Sequence, residues 1–218
     1  MQVRPRRSTS IVKRIEVAEV SLTEVRGLIE CNHYTRSCPA VALHAFGVYL
    51  ADELHGAAVI GAGARYAHRV LSAGRPGDVV TLSRLWLSDL LPRNAESRVL
   101  GVIVRELRRT GRYRALVTFA DPAAGHSGTI YRAAGFTDLG RTAAEPYILI
   151  DGRPTHPRSV SSAYGSNDVG HLRRTGVDAR RVPTIPKHRY AVILDPSWGW
   201  RLTSEHTPEP SAIRRSAG

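Results

Sequence analysis

The sequence predicts an α/β protein with a mixed, mainly antiparallel sheet flanked by helices. Three observations predict it. Two apolar stretches, VALHAFGVYL and ELHGAAVIGAG, are separated only by a short charged turn at Asp52 and Glu53, which makes an antiparallel hairpin. After a third apolar stretch, VVTLSRLWLS, the period changes, and Val99, Leu100, Ile103, Val104 and Leu107 recur at helical spacing. A buried strand, ALVTFAD, follows that helix, so hairpin and crossover connections occur in one chain.

The elements follow in order. Residues 1–10 are polar and basic without periodicity and read as a disordered arm. IVKRIEVAEV alternates as a strand. Ser21 opens S-L-T-E, a capping box in which Glu24 reaches back to the cap, so a helix through Cys31 is expected, with NHYTRSCP breaking it. The hairpin and third strand come next. The long helix begins after Asn94, carries Arg105, Arg108 and Arg109 on its polar side, and stops at Gly111. ALVTFAD is a strand, SGTIYRAAGF a short helix ending in Gly135, and LGRTAAEPYILID closes the core with at least one more strand. Beyond Asp151 the composition shifts to Arg, Pro, Ser and His. Only a small helix near Asp168–Arg174 and a strand at HRYAVIL stand out there. The expected organisation is an arm (1–10), a catalytic domain (11–150), a basic extension packing on it (151–203) and a disordered tail (204–218).

The formal net charge is +12, and Lys13 and Lys187 are the only lysines among 31 basic residues. A field of that sign favours a polyanion, of which nucleic acid is the commonest, because each neutralised phosphate releases counterions. Two cysteines, Cys31 and Cys38, form no disulfide framework, and with His33 the only obvious further ligand they read as reduced and structural, without a metal. No apolar run approaches the roughly 20 residues that span a bilayer, and MQVRPRRSTS leads into no signal core. The expectation is a soluble protein of the bacterial cytoplasm, with no membrane partner and with a homodimer left open.

The strand–helix–strand–helix layout with YRAAGF at its second helix resembles the Gcn5-related N-acetyltransferase fold. A more specific match is LSRLWLSDLLPRNAESRVLG followed by FADPAAGHSGTIYRAAGF, with HYTRS at His33–Ser37. Together these resemble the Mom DNA-modification proteins of phages over roughly residues 30–140, and RSVSSAYGS and PKHRY resemble the tail of several members. The resemblance implies addition of a carbamoylmethyl group to the exocyclic amine of adenine in phage DNA, as a defence against restriction. The acetyltransferase likeness implies acetyl-coenzyme A or a related acyl donor. Iron has been associated with the family, but no facial-triad spacing is present.

Candidate residues carry two readings each. Asp121, at the end of a strand, is a proton acceptor or a turn cap. His126, in A-A-G-H-S-G, is a base or an exposed loop side chain. Tyr131 is a proton donor to a leaving group, as the acetyltransferase likeness implies, or a core tyrosine. Ser83 and Arg84 interrupt an apolar strand, lining a cleft or facing solvent, and Trp86 is a base-stacking ring or core. Asn94, Ala95, Ser97 and Arg98 stand where the fold places its phosphate-binding loop, at a helix N-terminus, but without the usual glycines; a simple cap at Asn94 is the other reading. His33 and Tyr34 receive a base taken out of the duplex stack, or merely end a helix. Arg158, Lys187 and Arg189, with the other arginines of the extension, form a phosphate-contacting surface or a solvated face. The function expected is transfer to double-stranded DNA from a small-molecule donor. The alternatives are a conventional acetyl-coenzyme A-dependent N-acetyltransferase acting on a protein or small amine, and a non-catalytic DNA-binding protein.

Overall fold

The computed structural model describes residues 11–63, 66–144 and 146–202. The expected arm (1–10) lies outside them, and so does the expected tail (204–218). Two compact bodies divide the chain. The first comprises residues up to Ala120, His126–Gly140 and the segment from His188; the second comprises Asp121–Gly125 and Arg141–Lys187.

In the first body, β1 (Glu16–Val20) leads to α1 (Leu22–Asn32), whose capping box forms as expected: Ser21 N donates to Glu24 Oε1 at 2.8 Å, and Glu24 N to Ser21 Oγ at 3.4 Å. β2 (His44–Leu50) and β3 (Glu53–Gly61) form the hairpin. Its two turn residues are Ala51 and Asp52, both at positive φ (51° and 68°), and Glu53 already pairs with Leu50. Two left-handed residues give the turn twist that matches the strands. β4 (Val79–Leu87), α2 (Ala95–Thr110), β5 (Ala115–Ala120), α3 (Thr129–Ala133) and β6 (Thr137–Arg141) follow, and β10 (His188–Ile193) returns much later.

The sheet order is β1-β2-β3-β4-β5-β10-β6, with β4 and β5 parallel and the other pairings described among β1–β5 and β10 antiparallel. Alternate residues of β3 serve opposite faces. Ala57 and Val59 pack with Val25 and Ile29 of α1, whereas Ala58 and Ile60 pack with Val99, Leu100 and Ile103 of α2. Burial on both faces is the reason that these strands read as nearly unbroken apolar runs.

The second body holds β7 (Tyr147–Ile150), β8 (Arg153–Thr155), α4 (Pro157–Tyr164), α5 (Val169–Arg174) and β9 (Ala179–Val182). Its sheet order is β8-β7-β9, over a small core of Ile148, Ile150, Val160, Leu172 and Ala179. Of the expected strand IVKRIEVAEV only Glu16–Val20 is strand, Ile11–Arg14 forming a 3-10 helix, and two later strands also differ from expectation. YILI belongs to this second sheet instead of closing the main core, and HRYAVIL, assigned to the extension, sits inside the main sheet between β5 and β6. A break at residue 150 therefore does not separate the bodies. Neither strand carries a local mark of its partner, because pairing is decided at long range.

A candidate active-site cleft where two parallel strands part

β4 and β5 pair only from Val79↔Ala115 to Leu82↔Thr118, yet β4 continues to Leu87 and β5 to Ala120. The cause is local. On β3, Val59 faces Arg84 and Ile60 faces Leu82, so Ser83 is an extra residue, a β-bulge. A bulge bends its strand and disrupts the ladder. Ser83 Oγ donates to the Val59 carbonyl at 2.9 Å and anchors the bend. The extra residue also resets the alternation, so that Arg84 and Trp86 lie opposite Val59 and Ala57, on the α1 side.

The opening is lined by His33, Tyr34, Leu82, Ser83, Arg84, Leu85, Phe119, His126, Ile130 and Tyr131. Six of these are residues singled out in the sequence, brought together from the loop after α1, from β4, and from the loop and helix after β5.

His33 is buried, at 6% exposure, and Thr35 N donates to its Nδ1 at 3.2 Å. That bond requires a lone pair on Nδ1, so the neutral ring carries its proton on Nε2. Burial is the main cause that lowers the His33 pKa to about 4, with the positive charge of Arg84 adding to it, so the ring is neutral at pH 7. Tyr34 is exposed. Its ring centroid lies 4.4 Å from that of His33 and 5.1 Å from that of the exposed His126.

Arg84 lines the cleft and is held by the protein's own groups. Its Nε donates to the Ser37 carbonyl at 2.8 Å, one terminal nitrogen to Ser37 Oγ at 3.1 Å, and the other to the Ser83 carbonyl at 2.7 Å. The guanidinium thus ties the loop after α1 to the bulge. Tyr131 is buried against Phe136 and Tyr190, and burial pushes its hydroxyl pKa up although a hydrogen bond with Thr118 opposes the shift.

Other expected residues lie elsewhere. Trp86 is partly buried and packs against the cluster of Val25, Ile29 and Ala57. Asp121 belongs to the second body. Its Oδ1 accepts from Ala123 N at 3.0 Å as a turn cap, and its Oδ2 pairs with Lys187 Nζ at 2.8 Å. Lys187 is therefore engaged by a carboxylate. Arg189 is only 5% exposed and donates to the Leu139 carbonyl at 3.2 Å, so it cannot present itself to a DNA backbone. Arg158 lies on α4, and its side chain is outside the described residues.

At the start of α2, Asn94 occupies the left-handed region (φ 68°, ψ 14°), and its side chain makes no capping bond. Asparagine tolerates this conformation better than most residues, so it supplies a turn that the missing glycines would otherwise give. Ala95 is buried, Ser97 Oγ donates to the Asn94 carbonyl at 3.1 Å, and Arg98 Nε is buried without a hydrogen-bond partner. A helix N-terminus with an unsatisfied guanidinium nitrogen fits an anionic group such as a pyrophosphate. For iron the fit is poor: among the described residues no three His, Cys, Asp or Glu side chains gather as a ligand set. Cys31 and Cys38 are unbridged. Also among the described residues, no helix is long and apolar enough to cross a membrane.

The architecture is thus a mixed, mainly antiparallel sheet flanked by helices that parts between its two parallel strands, with imidazole and phenol groups gathered at the opening. Similar solved structures include the ribosomal L7/L12 α-N-protein acetyltransferase RimL (TM-score 0.48, 13% identity, 85% of this chain and 96% of that one). Another is an N-acetyltransferase from Staphylococcus aureus Mu50 (TM-score 0.46, 14% identity, 83% and 97%). Residues 14–211 match the Mom protein family, and the chain belongs to it. It is 25% identical over 196 residues to the methylcarbamoylase Mom of Escherichia phage Mu, covering 88% of this chain and 81% of that protein.

Proposed function

We propose that this protein modifies phage DNA by transferring a carbamoylmethyl group from a small-molecule donor to the exocyclic amine of adenine, in the host cytoplasm, so that restriction enzymes no longer cut. The observation that carries the reading is the convergence of His33, Tyr34, Ser83, Arg84, His126 and Tyr131 on one cleft. Membership of the Mom family and the likeness to a methylcarbamoylase support the group transferred and its acceptor.

The environments support one division of labour. A base to be modified at its edge must leave the stack, and the exposed Tyr34 and His126 rings at the cleft give it faces to contact. His33, neutral with its proton on Nε2, serves as a hydrogen-bond donor that fixes the acceptor without itself taking a proton. His126, the exposed imidazole at the cleft, takes the proton that the amine loses in this reading. Tyr131, whose hydroxyl stays protonated, donates to the leaving group. The new bond joins nitrogen to a methylene carbon, so acetyl transfer is not the reaction. A donor with an anionic portion would rest on the α2 N-terminus through the backbone of Asn94, Ala95 and Ser97 and through Arg98.

The test is mass spectrometry of nucleosides from plasmid DNA of bacteria expressing the protein alone. An adenosine heavier by a carbamoylmethyl group is expected, and unmodified DNA in cells with abundant folded protein counts against the reading. The second reading is a conventional acetyl-coenzyme A-dependent N-acetyltransferase, whose donor would use the same buried Arg98 Nε. Coenzyme A binding, with acetylation of a protein or small amine and no change in DNA, would select it.

A further inference from the structure

His126 stands in a loop that owes its position to a residue far along the chain. Tyr190, in β10 opposite Thr118, is fully buried. Its hydroxyl donates to the Ser127 carbonyl at 3.2 Å and accepts from an Arg132 terminal nitrogen at 2.8 Å. The same arginine nitrogen reaches the Ser127 carbonyl at 3.3 Å, and the other reaches Thr129 Oγ1 at 3.3 Å. The flat of the loop is fixed as well. A Cβ on Gly128 would stand 2.3 to 2.4 Å from the Tyr190 ring, and Gly128 has a φ of +76°, so contact and conformation both demand glycine. On its other flank the Tyr190 ring lies 5.5 Å from that of Tyr131.

We propose that Tyr190 is a positioning residue of the cleft: through Ser127 and Gly128, and with Arg132, it sets the station of His126 and seats the Tyr131 ring. The inference rests on the cleft being the site of group transfer. A catalytic group on a loop works only if a supporting layer holds it, since a displacement near 1 Å is enough to lose most of its effect. Here the layer is a phenol from a neighbouring strand, whose hydroxyl shares the Ser127 carbonyl with Arg132.

Tyr190→Phe keeps the ring and removes the hydroxyl. Three quantities are compared with the parent: amide hydrogen exchange of residues 125–131, the pH titration of the His126 ring by NMR, and the rate at which modified nucleoside appears in plasmid DNA. Exchange in the loop should rise about tenfold, as expected for one hydrogen bond lost. The His126 titration should move, and modification should fall by about tenfold or more, while exchange elsewhere and the melting temperature stay close to those of the parent.

Unchanged loop exchange with an unchanged His126 titration would overturn the proposal, and so would a loosened loop with undiminished modification. If Tyr190→Phe does not fold, Arg132→Gln, on an exposed turn of α3, removes the partner cation and is held to the same outcomes. Should the parent protein leave DNA unmodified, the transfer reading fails by itself, and the exchange and titration data still decide whether Tyr190 holds the loop.

Discussion

The Tyr34 and His126 rings stand edge to face, with centroids 5.1 Å apart and planes at 80°. They come from the loop after α1 and the loop after β5, almost a hundred positions apart in the chain, and meet at the cleft between β4 and β5. Both are exposed, so either ring can change partner without breaking the core.

Tyr34→Ala should weaken DNA engagement and leave the fold intact. Stacking of a base on an aromatic ring is worth about 1–3 kcal/mol, so the DNA concentration giving half-maximal modification should rise roughly ten- to a hundredfold, and Tyr34→Phe should stay near the parent. An equal loss in both variants would place the effect in the hydroxyl and not in the ring.

His33 predicts an acid-sensitive fold. Its pKa in the folded chain is about 4, below the 6.5 expected when unfolded. The unfolded state therefore binds the proton more readily. The contribution of the neutral ring is complete above about pH 6.5 and is lost progressively as the pH falls toward 4, a difference on the order of 3 kcal/mol. Denaturant melts at pH 7.5 and 4.5 should show this, and in His33→Asn, which keeps an acceptor near Nδ1 but does not titrate, the difference should shrink. An equally steep pH dependence in that variant would assign it to other groups.

Asp121 joins two duties, a cap for Ala123 N and an ion pair with Lys187. Asp121→Ala removes both and should lower stability by about 1–2 kcal/mol, read as a lower denaturation midpoint. Asp121→Asn keeps the capping acceptor without the charge and should fall between. Parent-level stability in the asparagine variant would assign the cost to the cap and not to the ion pair.

Trp86 belongs to the α1 core, so its loss should be read in stability. Trp86→Ala should destabilise by about 3 kcal/mol, with modification per folded molecule close to that of the parent. A normal melting temperature with failed modification would return the indole to the substrate side.

Much of the main body was legible because its signals are local. The Ser21–Glu24 capping box, the 3.6-residue period of α2 and the Gly111 stop depend on neighbours in sequence, and each forms as written. The bulge at Ser83 had a visible trace, a polar pair inside an apolar strand, but its meaning depended on which residues of β3 lay opposite. α4, β8 and β9 were missed because they are short and their apolar positions too few to set a period. Tyr190 was passed over because a tyrosine in an apolar strand reads as core, and nothing in HRYAVIL says that its hydroxyl reaches Ser127.

By itself the sequence determined the elements of the main sheet, its mixed character, the positive charge and the chemical kinds gathered at the site, since composition and period act over a few residues. Only the tertiary structure decided where the strands go and which polar side chains are already engaged. It set HRYAVIL between β5 and β6, committed Arg84 to Ser37 and Lys187 to Asp121, and buried Arg189. The physical reason is that a charged side chain is available to a ligand only if no nearer group of the same protein satisfies it, and that depends on residues brought close by folding.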